Sequence, residues 1–67
     1  MQYDLYKVFT KDSLRATVYV ASNEDPDFEI RRWLGQQNVA PANVSSISPA
    51  GYRTEDVRPK NTPFVAS

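Results

Sequence analysis

Residues 23–34 read NEDPDFEIRRWL, and this stretch decides the fold because its pattern predicts a helix without ambiguity. Asp25 can accept a hydrogen bond from the free N–H groups of a first helical turn. Pro26 fits the first helical position, where its missing N–H costs nothing. Asp27 and Glu29 add negative charge near the positive end of the helix dipole. The sequence therefore predicts a capped helix that begins at Pro26.

The spacing within this stretch predicts which side of the helix faces a core. Ile30, Trp33 and Leu34 fall on one stripe at about 100° per residue. Phe28 lies on the flank of that stripe. Gly35 is the expected end, because glycine readily adopts the left-handed conformation past a last turn. The next three residues could instead extend the helix, at a cost of about 1 kcal/mol for the glycine. So short a helix must lie on another element to persist.

The 67 residues suffice for one domain with a single core, and the composition excludes several classes of protein. The chain has no cysteine and no histidine, which rules out disulfides, the usual zinc ligands and the commonest general base. It has no apolar run of about 18 residues and no signal-peptide pattern. We therefore expect a cytoplasmic protein with no cofactor, no metal site and no membrane contact.

Two stretches rich in aromatic and β-branched residues, Tyr3 to Phe9 and Leu14 to Ala21, predict the first two strands. Lys11, Asp12 and Ser13 between them are residues that favour turns. The two strands are therefore expected to form a β-hairpin.

The length of the hairpin turn decides which side chains of the first strand face the helix. A turn over residues 10–13 pairs Phe9 with Leu14 under the helix, with Lys7 at the edge of the same face. The opposite, open face then carries Tyr6, Val8, Arg15, Thr17 and Tyr19. A loop that differs by one residue would exchange the faces of the first strand. With this register, the expected core comprises Leu5, Phe9, Leu14, Val18, Val20, Phe28, Ile30, Trp33 and Leu34.

The second half of the chain is less regular. Val44 to Ser48 is expected to form a short third strand, in which Val44 and Ile47 have opposite parity, as a bulge or burial of both faces would explain. Pro49 to Gly51 has the composition of a type II turn. Tyr52 to Val57 could add a last short strand.

The predicted fold is α+β, with a small antiparallel sheet of three to four strands and one helix packed across one face, in the order ββαβ. Residues 1–58 would form this single domain, and residues 59–67 a loosely ordered C-terminal tail. One face of the sheet would stay uncovered, and a function could reside there.

Catalytic patterns are absent from the sequence. The serines have no histidine to activate them, and the two glycines are too far apart for a phosphate loop. The acidic residues around Asp25 lack the glycine and the distal glutamate of a calcium loop. We therefore expect a protein that is not an enzyme and that acts by binding.

Protein interfaces favour aromatic and arginine anchors, and this chain offers both. The candidate partner-binding residues are Tyr6, Arg15 and Tyr19 on the open face, Arg31 and Arg32 on the helix, and Tyr52, Arg53 and Arg58 after the last turn. We expect a host protein as partner, bound by a monomer or a weak homodimer. The alternative is single-stranded nucleic acid stacked on Tyr6 and Tyr19, against which the zero net charge argues.

Two segments of the chain support a more specific expectation. Val20 to Asp25 enters the helix, and Pro49 to Tyr52 is followed by Val57 to Pro59. With the small size and the hairpin, helix, strand order, these segments resemble the T7-type phage inhibitor of bacterial RNA polymerase. In that family a short antiparallel sheet with one helix docks on the polymerase jaw, partly through an arginine on the last strand. The resemblance implies that Arg58 has this role.

A second alignment matches the same family pattern to Pro41-Ala42 and Ile47-Ser48-Pro49, because residues 39–48 intervene after the helix. This alignment places Ser48 at the position of the family's arginine. The broader implication is a phage or mobile-element protein that binds and modulates a host protein.

Overall fold

The loop of the first hairpin sets the register of the sheet. The computed structural model describes residues 1–66, with β1 at Gln2–Thr10 and β2 at Leu14–Ala21. The loop between them comprises residues 11–13, and its last residue, Ser13, has a φ of 64°. A left-handed residue at the end of a three-residue loop is a common hairpin connection. The Thr10 hydroxyl accepts a hydrogen bond of 3.1 Å from the N–H of Leu14 and closes the loop.

This loop gives a register that differs by one residue from the expected one. Phe9 lies opposite Arg15, and Tyr6 lies opposite Val18. The expected faces of β1 were therefore wrong, because a shift of one residue exchanges them. Tyr6 and Val8 lie on the helix side, where Val8 is fully buried. The faces expected for β2 are confirmed, with the side chains of Ala16, Val18 and Val20 buried under the helix.

Helix α1 spans Pro26–Gln36 and begins as the sequence predicts. The Asp25 carboxylate accepts a hydrogen bond of 3.1 Å from the N–H of Asp27. The expected end at Gly35 was wrong, and the alternative extension is confirmed as far as Gln36. Asn38, rather than the glycine, provides the left-handed residue, with a φ of 58°. The N–H of Val39 then donates to the carbonyl of Leu34 at 3.0 Å, which is the bond of a Schellman motif.

A short 3-10 helix, Pro41–Asn43, leads into the edge strand β3, Val44–Thr54, which pairs with β1. The turn expected at Pro49 to Gly51 was wrong, since β3 continues through it. Gly51 has a φ of 103°, and the pairing with β1 shifts between Asp4 and Tyr6, so the segment forms a β-bulge. A second shift opposite Phe9 and Thr10 confirms the bulge predicted from the parity of Val44 and Ile47.

Strand β4, Thr62–Ala66, lies within the segment that was expected to be a tail. It pairs antiparallel with β2, so that the sheet order is β3-β1-β2-β4. Ser67, the last residue of the expected tail, lies outside the described residues. The fold is thus α+β with a four-stranded antiparallel sheet, and two strands rather than one follow the helix.

The core lies between α1 and the central strands. Its fully buried members are Val8, Val18, Val20, Ile30 and Leu34. Trp33 is half-buried and stacks on Phe64 of β4, with the ring centroids 5.2 Å apart. The assignment of Phe28 to the core was wrong, because its side chain is 62% exposed. Three further assignments to this core were wrong, since Leu5, Phe9 and Leu14 are only half-buried and do not pack on the core cluster. Leu5 and Phe9 lie on the sheet face away from α1, as a result of the shifted register.

The contrast between Ile30 and Phe28 gives a stability prediction. Ile30→Ala should lower the free energy of unfolding by about 2 to 5 kcal/mol, because it leaves a cavity in a filled core. Phe28→Ala should change it by less than about 0.5 kcal/mol, since the ring is exposed. Urea denaturation followed by circular dichroism measures both. Equal losses in the two variants would contradict this orientation of the helix.

The two glycines should respond to alanine in opposite directions. Gly35 lies inside α1 with no atom within 4 Å of an added Cβ, so Gly35→Ala should stabilise the protein by about 0.4 to 1 kcal/mol. The φ of 103° at Gly51 strains any L-residue, so Gly51→Ala should cost about 1 to 3 kcal/mol. Thermal unfolding of the two variants tests this, and a stabilised Gly51→Ala would contradict the bulge geometry.

Candidate functional site

The acidic residues around the start of α1 all have structural partners within the domain. Asp25 caps the helix, and Asp27 pairs with Arg31 at 3.5 Å. Glu29 lies 4.0 Å from Arg32, and Glu24 pairs with Arg58. Among residues 1–66 no group of three or more acidic residues is placed to hold a metal ion. In the same residues, no helix is long and apolar enough to cross a membrane.

The sheet face away from α1, called here the open face, carries the side chains that alternate with the core positions. The pairing register places on it Tyr3, Leu5, Lys7 and Phe9 of β1, Arg15, Thr17 and Tyr19 of β2, Ser46, Ser48 and Arg53 of β3, and Thr62 and Val65 of β4. None of these strand residues is acidic.

One end of the open face is closed by the loop of residues 55–61 between β3 and β4. The guanidinium carbon of Arg58 lies 5.7 Å from the ring centroid of Tyr3, whose side chain is only 5% exposed. Asn61 accepts a hydrogen bond of 2.8 Å from the N–H of Tyr19, beyond the point where β4 ends its pairing with β2. The loop therefore shields the Tyr3 end of the face from solvent.

Tyr19 and Arg53 meet at the border of the closed part. The Arg53 guanidinium carbon lies 5.8 Å from the ring centroid of Tyr19, and its Nη1 donates to the Tyr19 hydroxyl at 3.4 Å. Arg53 also pairs with Glu55 at 2.5 Å. The Tyr19 hydroxyl, and then Glu55, raise the pKa of the Arg53 guanidinium above its ordinary value. Arg53 is therefore cationic at neutral pH, and its planar guanidinium lies over the Tyr19 ring.

The other half of the open face is uncovered and cationic. The Nζ of Lys7 donates to the Thr17 hydroxyl at 3.0 Å, and Arg15 lies on the neighbouring position of β2. Neither Lys7 nor Arg15 forms an ion pair with any other residue of the range 1–66. A shallow depression of about 260 Å³ lies between them, lined also by Ala16, Thr17, Thr62 and Val65.

A second uncovered region lies on the helix side of the sheet, along β3. Because α1 lies over β2, the edge strand β3 extends beyond it. Ile47 and Tyr52 point to this side and are 41% and 68% exposed. A groove of about 200 Å³ separates β3 from α1, and Leu34, Pro41, Val44 and Ile47 contribute its apolar lining. Ile47, Tyr52, this groove and the free edge of β3 are called the edge surface.

The structure distributes the eight predicted partner-binding residues over several places. Tyr6 was wrongly assigned to the open face, because it packs against the core on the helix side. Arg15, Tyr19 and Arg53 share the open face. Arg31 lies beside the groove of the edge surface, and Tyr52 lies on that surface. Arg32 lies on the side of α1 away from the groove, and Arg58 lies in the loop of residues 55–61.

Sequence reasoning missed three residues of these surfaces, namely Lys7, Phe9 and Ile47. Lys7 and Phe9 were assigned to the helix side, and the turn formers at residues 11–13 were the signal for a three-residue loop that would have placed them on the open face. Ile47 was identified as a strand residue, but its exposure depends on where the helix lies across the sheet.

Glu24 links the start of α1 to the loop of residues 55–61. Its Oε1 accepts a hydrogen bond of 2.9 Å from the N–H of Ala21 and also pairs with Arg58. The hydrogen bond from Ala21 lowers the pKa of the Glu24 carboxyl below its ordinary value of 4.5; partial burial opposes this effect, and Arg58 adds to it. The ionised carboxylate is thus favoured in the folded state.

Stability should depend on this carboxylate in acid. Because the folded pKa is lower than the unfolded one, the stabilisation is present above about pH 4.5 and is lost as the pH falls through the folded value. Glu24→Gln should therefore unfold more easily at pH 7 and lose less stability between pH 7 and pH 3. Asp56→Asn, which removes an exposed carboxylate, is the control. Denaturant titrations at several pH values test this, and parallel pH profiles for Glu24→Gln and the unsubstituted protein would contradict it.

Comparison with known proteins identifies no family for this chain. The chain matches no protein-family model, no curated protein and no solved structure. Its function is therefore argued from the chemistry of the open face and of the edge surface.

Proposed function

We propose that this protein is a small, non-catalytic protein-binding module that binds a host protein through its edge surface. The observation that carries the proposal is the exposure of Ile47 and Tyr52 along an edge strand whose outer side is unpaired in the described part of the chain. Aromatic and aliphatic anchors beside a groove are what protein interfaces use.

The backbone of β3 supports the same proposal. An edge strand can pair with an extended segment of a partner, so that main-chain hydrogen bonds supply affinity and side-chain pockets supply specificity. The groove against α1 offers such a pocket beside Ile47. Pro49 has no N–H to donate, and the bulge at Gly51 twists the strand, and both features disfavour indiscriminate pairing between edges. A monomer or a weak homodimer that binds one complementary partner is therefore favoured.

The resemblance to the phage inhibitor makes bacterial RNA polymerase one specific candidate for the host protein. Under the first alignment the contact would fall on Arg58, which here pairs with Glu24 and lies over Tyr3. Such a contact would have to share or break that ion pair. Under the second alignment the position is Ser48, which lies opposite Lys7 on the open face. The proposal for the edge surface depends on neither alignment.

The proposal is tested by affinity capture from a nuclease-treated bacterial lysate with three forms of the tagged protein. The unsubstituted protein should retain one dominant host protein. Ile47→Arg should lose it, because a charge replaces the apolar anchor in the groove. Val57→Arg is the matched control, since Val57 is 79% exposed but lies in the loop of residues 55–61.

Titration of the purified partner then measures the affinities of the three forms. We expect at least a tenfold weaker dissociation constant for Ile47→Arg and an unchanged one for Val57→Arg. Retention of no nuclease-resistant protein, or equal retention by Ile47→Arg, would contradict the proposal. Polymerase subunits as the dominant species would support the specific candidate.

A further inference from the structure

We propose that the uncovered half of the open face binds single-stranded nucleic acid, at a site distinct from the edge surface proposed for protein binding. Its elements are Lys7 and Arg15, the hydroxyls beside them, and the aromatic rings of Phe9 and Tyr19 at its two ends.

Within residues 1–66, only some of the cationic side chains form ion pairs. Of the eight lysines and arginines, the four arginines 31, 32, 53 and 58 form ion pairs. Lys7, Lys11, Arg15 and Lys60 form none with residues 1–66. Lys7 and Arg15 lie side by side on the open face, and Lys11 lies in the hairpin loop that ends it. The open face is therefore locally positive although the net charge of the chain is zero.

Within residues 1–66, the carboxylates of Asp12 and Glu55 at the two ends of the open face have other partners. Asp12 lies in the hairpin loop, where its Oδ2 accepts a hydrogen bond of 2.9 Å from the side chain of Asn43. Glu55 pairs with Arg53 at the opposite end. Lys7 and Arg15 therefore present their charges to solvent, and the depression between them can hold an anionic group.

Aromatic rings flank the cationic positions along the strands. On β1 and β2 the open-face pairs follow in the order Leu5 with Tyr19, Lys7 with Thr17, and Phe9 with Arg15. Neighbouring pairs on one face are about 7 Å apart, because each strand residue rises about 3.4 Å. Along the two strands, the ring of Tyr19 is thus followed by the cation of Lys7, and then by the ring of Phe9 opposite the cation of Arg15. Proteins that bind single strands combine rings for base stacking with cations for the phosphates in this way.

This alternation favours nucleic acid over an acidic protein segment as the ligand. An acidic segment would need the cations alone, whereas the half-buried rings of Tyr19 and Phe9 offer stacking surfaces that carboxylates do not use. The guanidinium of Arg53 lies over the Tyr19 ring, and its planar group is itself a surface on which a base can stack at that end. The hydroxyl of Thr62 adds a neutral hydrogen-bonding group beside the depression, whereas the buried Thr17 holds the Lys7 ammonium. The same set of groups suits a sugar-phosphate chain with unpaired bases.

The test uses fluorescence anisotropy with a fluorescein-labelled oligothymidylate of 12 nucleotides, titrated with the full chain at 20 to 200 mM salt. The unsubstituted protein should bind with a micromolar dissociation constant at low salt. The double variant Lys7→Gln, Arg15→Gln should bind at least tenfold more weakly, and its salt slope should be about 1.4 smaller, at about 0.7 for each lost phosphate contact. Tyr19→Leu should weaken binding at least fivefold through lost stacking.

The matched control is the double variant Arg31→Gln, Arg32→Gln, which removes the same charge from α1. It should bind the oligonucleotide like the unsubstituted protein, and circular dichroism confirms that each variant is folded. Absence of binding at 20 mM salt, or equal losses in both double variants, would overturn the proposal. Competition by poly-glutamate as effective as that by unlabelled oligothymidylate would also overturn it, because it would assign the face to an acidic protein segment. Ile47→Arg separates the two proposals. Oligonucleotide binding in the presence of this substitution should still weaken when Tyr19 or Lys7 is also substituted.

Discussion

The three-residue loop of the first hairpin is the constraint on which the rest of the structure depends. The positive φ of Ser13 and the bond between the Thr10 hydroxyl and Leu14 fix its length. That length places Val8 under the helix and Lys7 on the open face. Strand β3 takes its own register from its pairing with β1, which two bulges shift. The open face of β1 and β2 therefore follows from one local backbone choice, whereas the edge surface also depends on those bulges and on the position of α1.

Local chemistry explains which features of the structure could be predicted from the sequence alone. The start of α1 was predictable, since Asp25 and Pro26 are adjacent and act on the first turn. The end of the helix and the register of β1 were harder to predict and had two alternatives each, because each depends on a non-glycine residue with positive φ, Asn38 and Ser13. Such residues adopt this conformation less readily than glycine does, so the sequence marks the position less clearly. Of the candidate residues, Arg15 and Tyr19 were predictable because the β2 pattern was strong, whereas Lys7 depended on the register.

Strand β4 shows more clearly why some elements could not be predicted from local sequence patterns. Residues 59–66 have little periodicity of their own, and they are ordered by distant contacts. Phe64 stacks on Trp33, and Asn61 binds the backbone of Tyr19. The pair of Arg58 and Glu24 secures the preceding loop to the start of α1. Each contact joins positions far apart in the chain, so no local window of sequence contains both partners.

The two candidate surfaces share β3, and this has a geometric consequence. Ile47 points to the edge surface, whereas its neighbours Ser46 and Ser48 point to the open face opposite Phe9 and Lys7. A partner strand paired with β3 would extend the sheet and continue the open face with its own side chains. A basic partner strand would then enlarge the cationic surface, and an acidic one would compete with nucleic acid for Lys7 and Arg15. The sign of the partner's charge therefore determines whether the two binding events would assist or oppose each other.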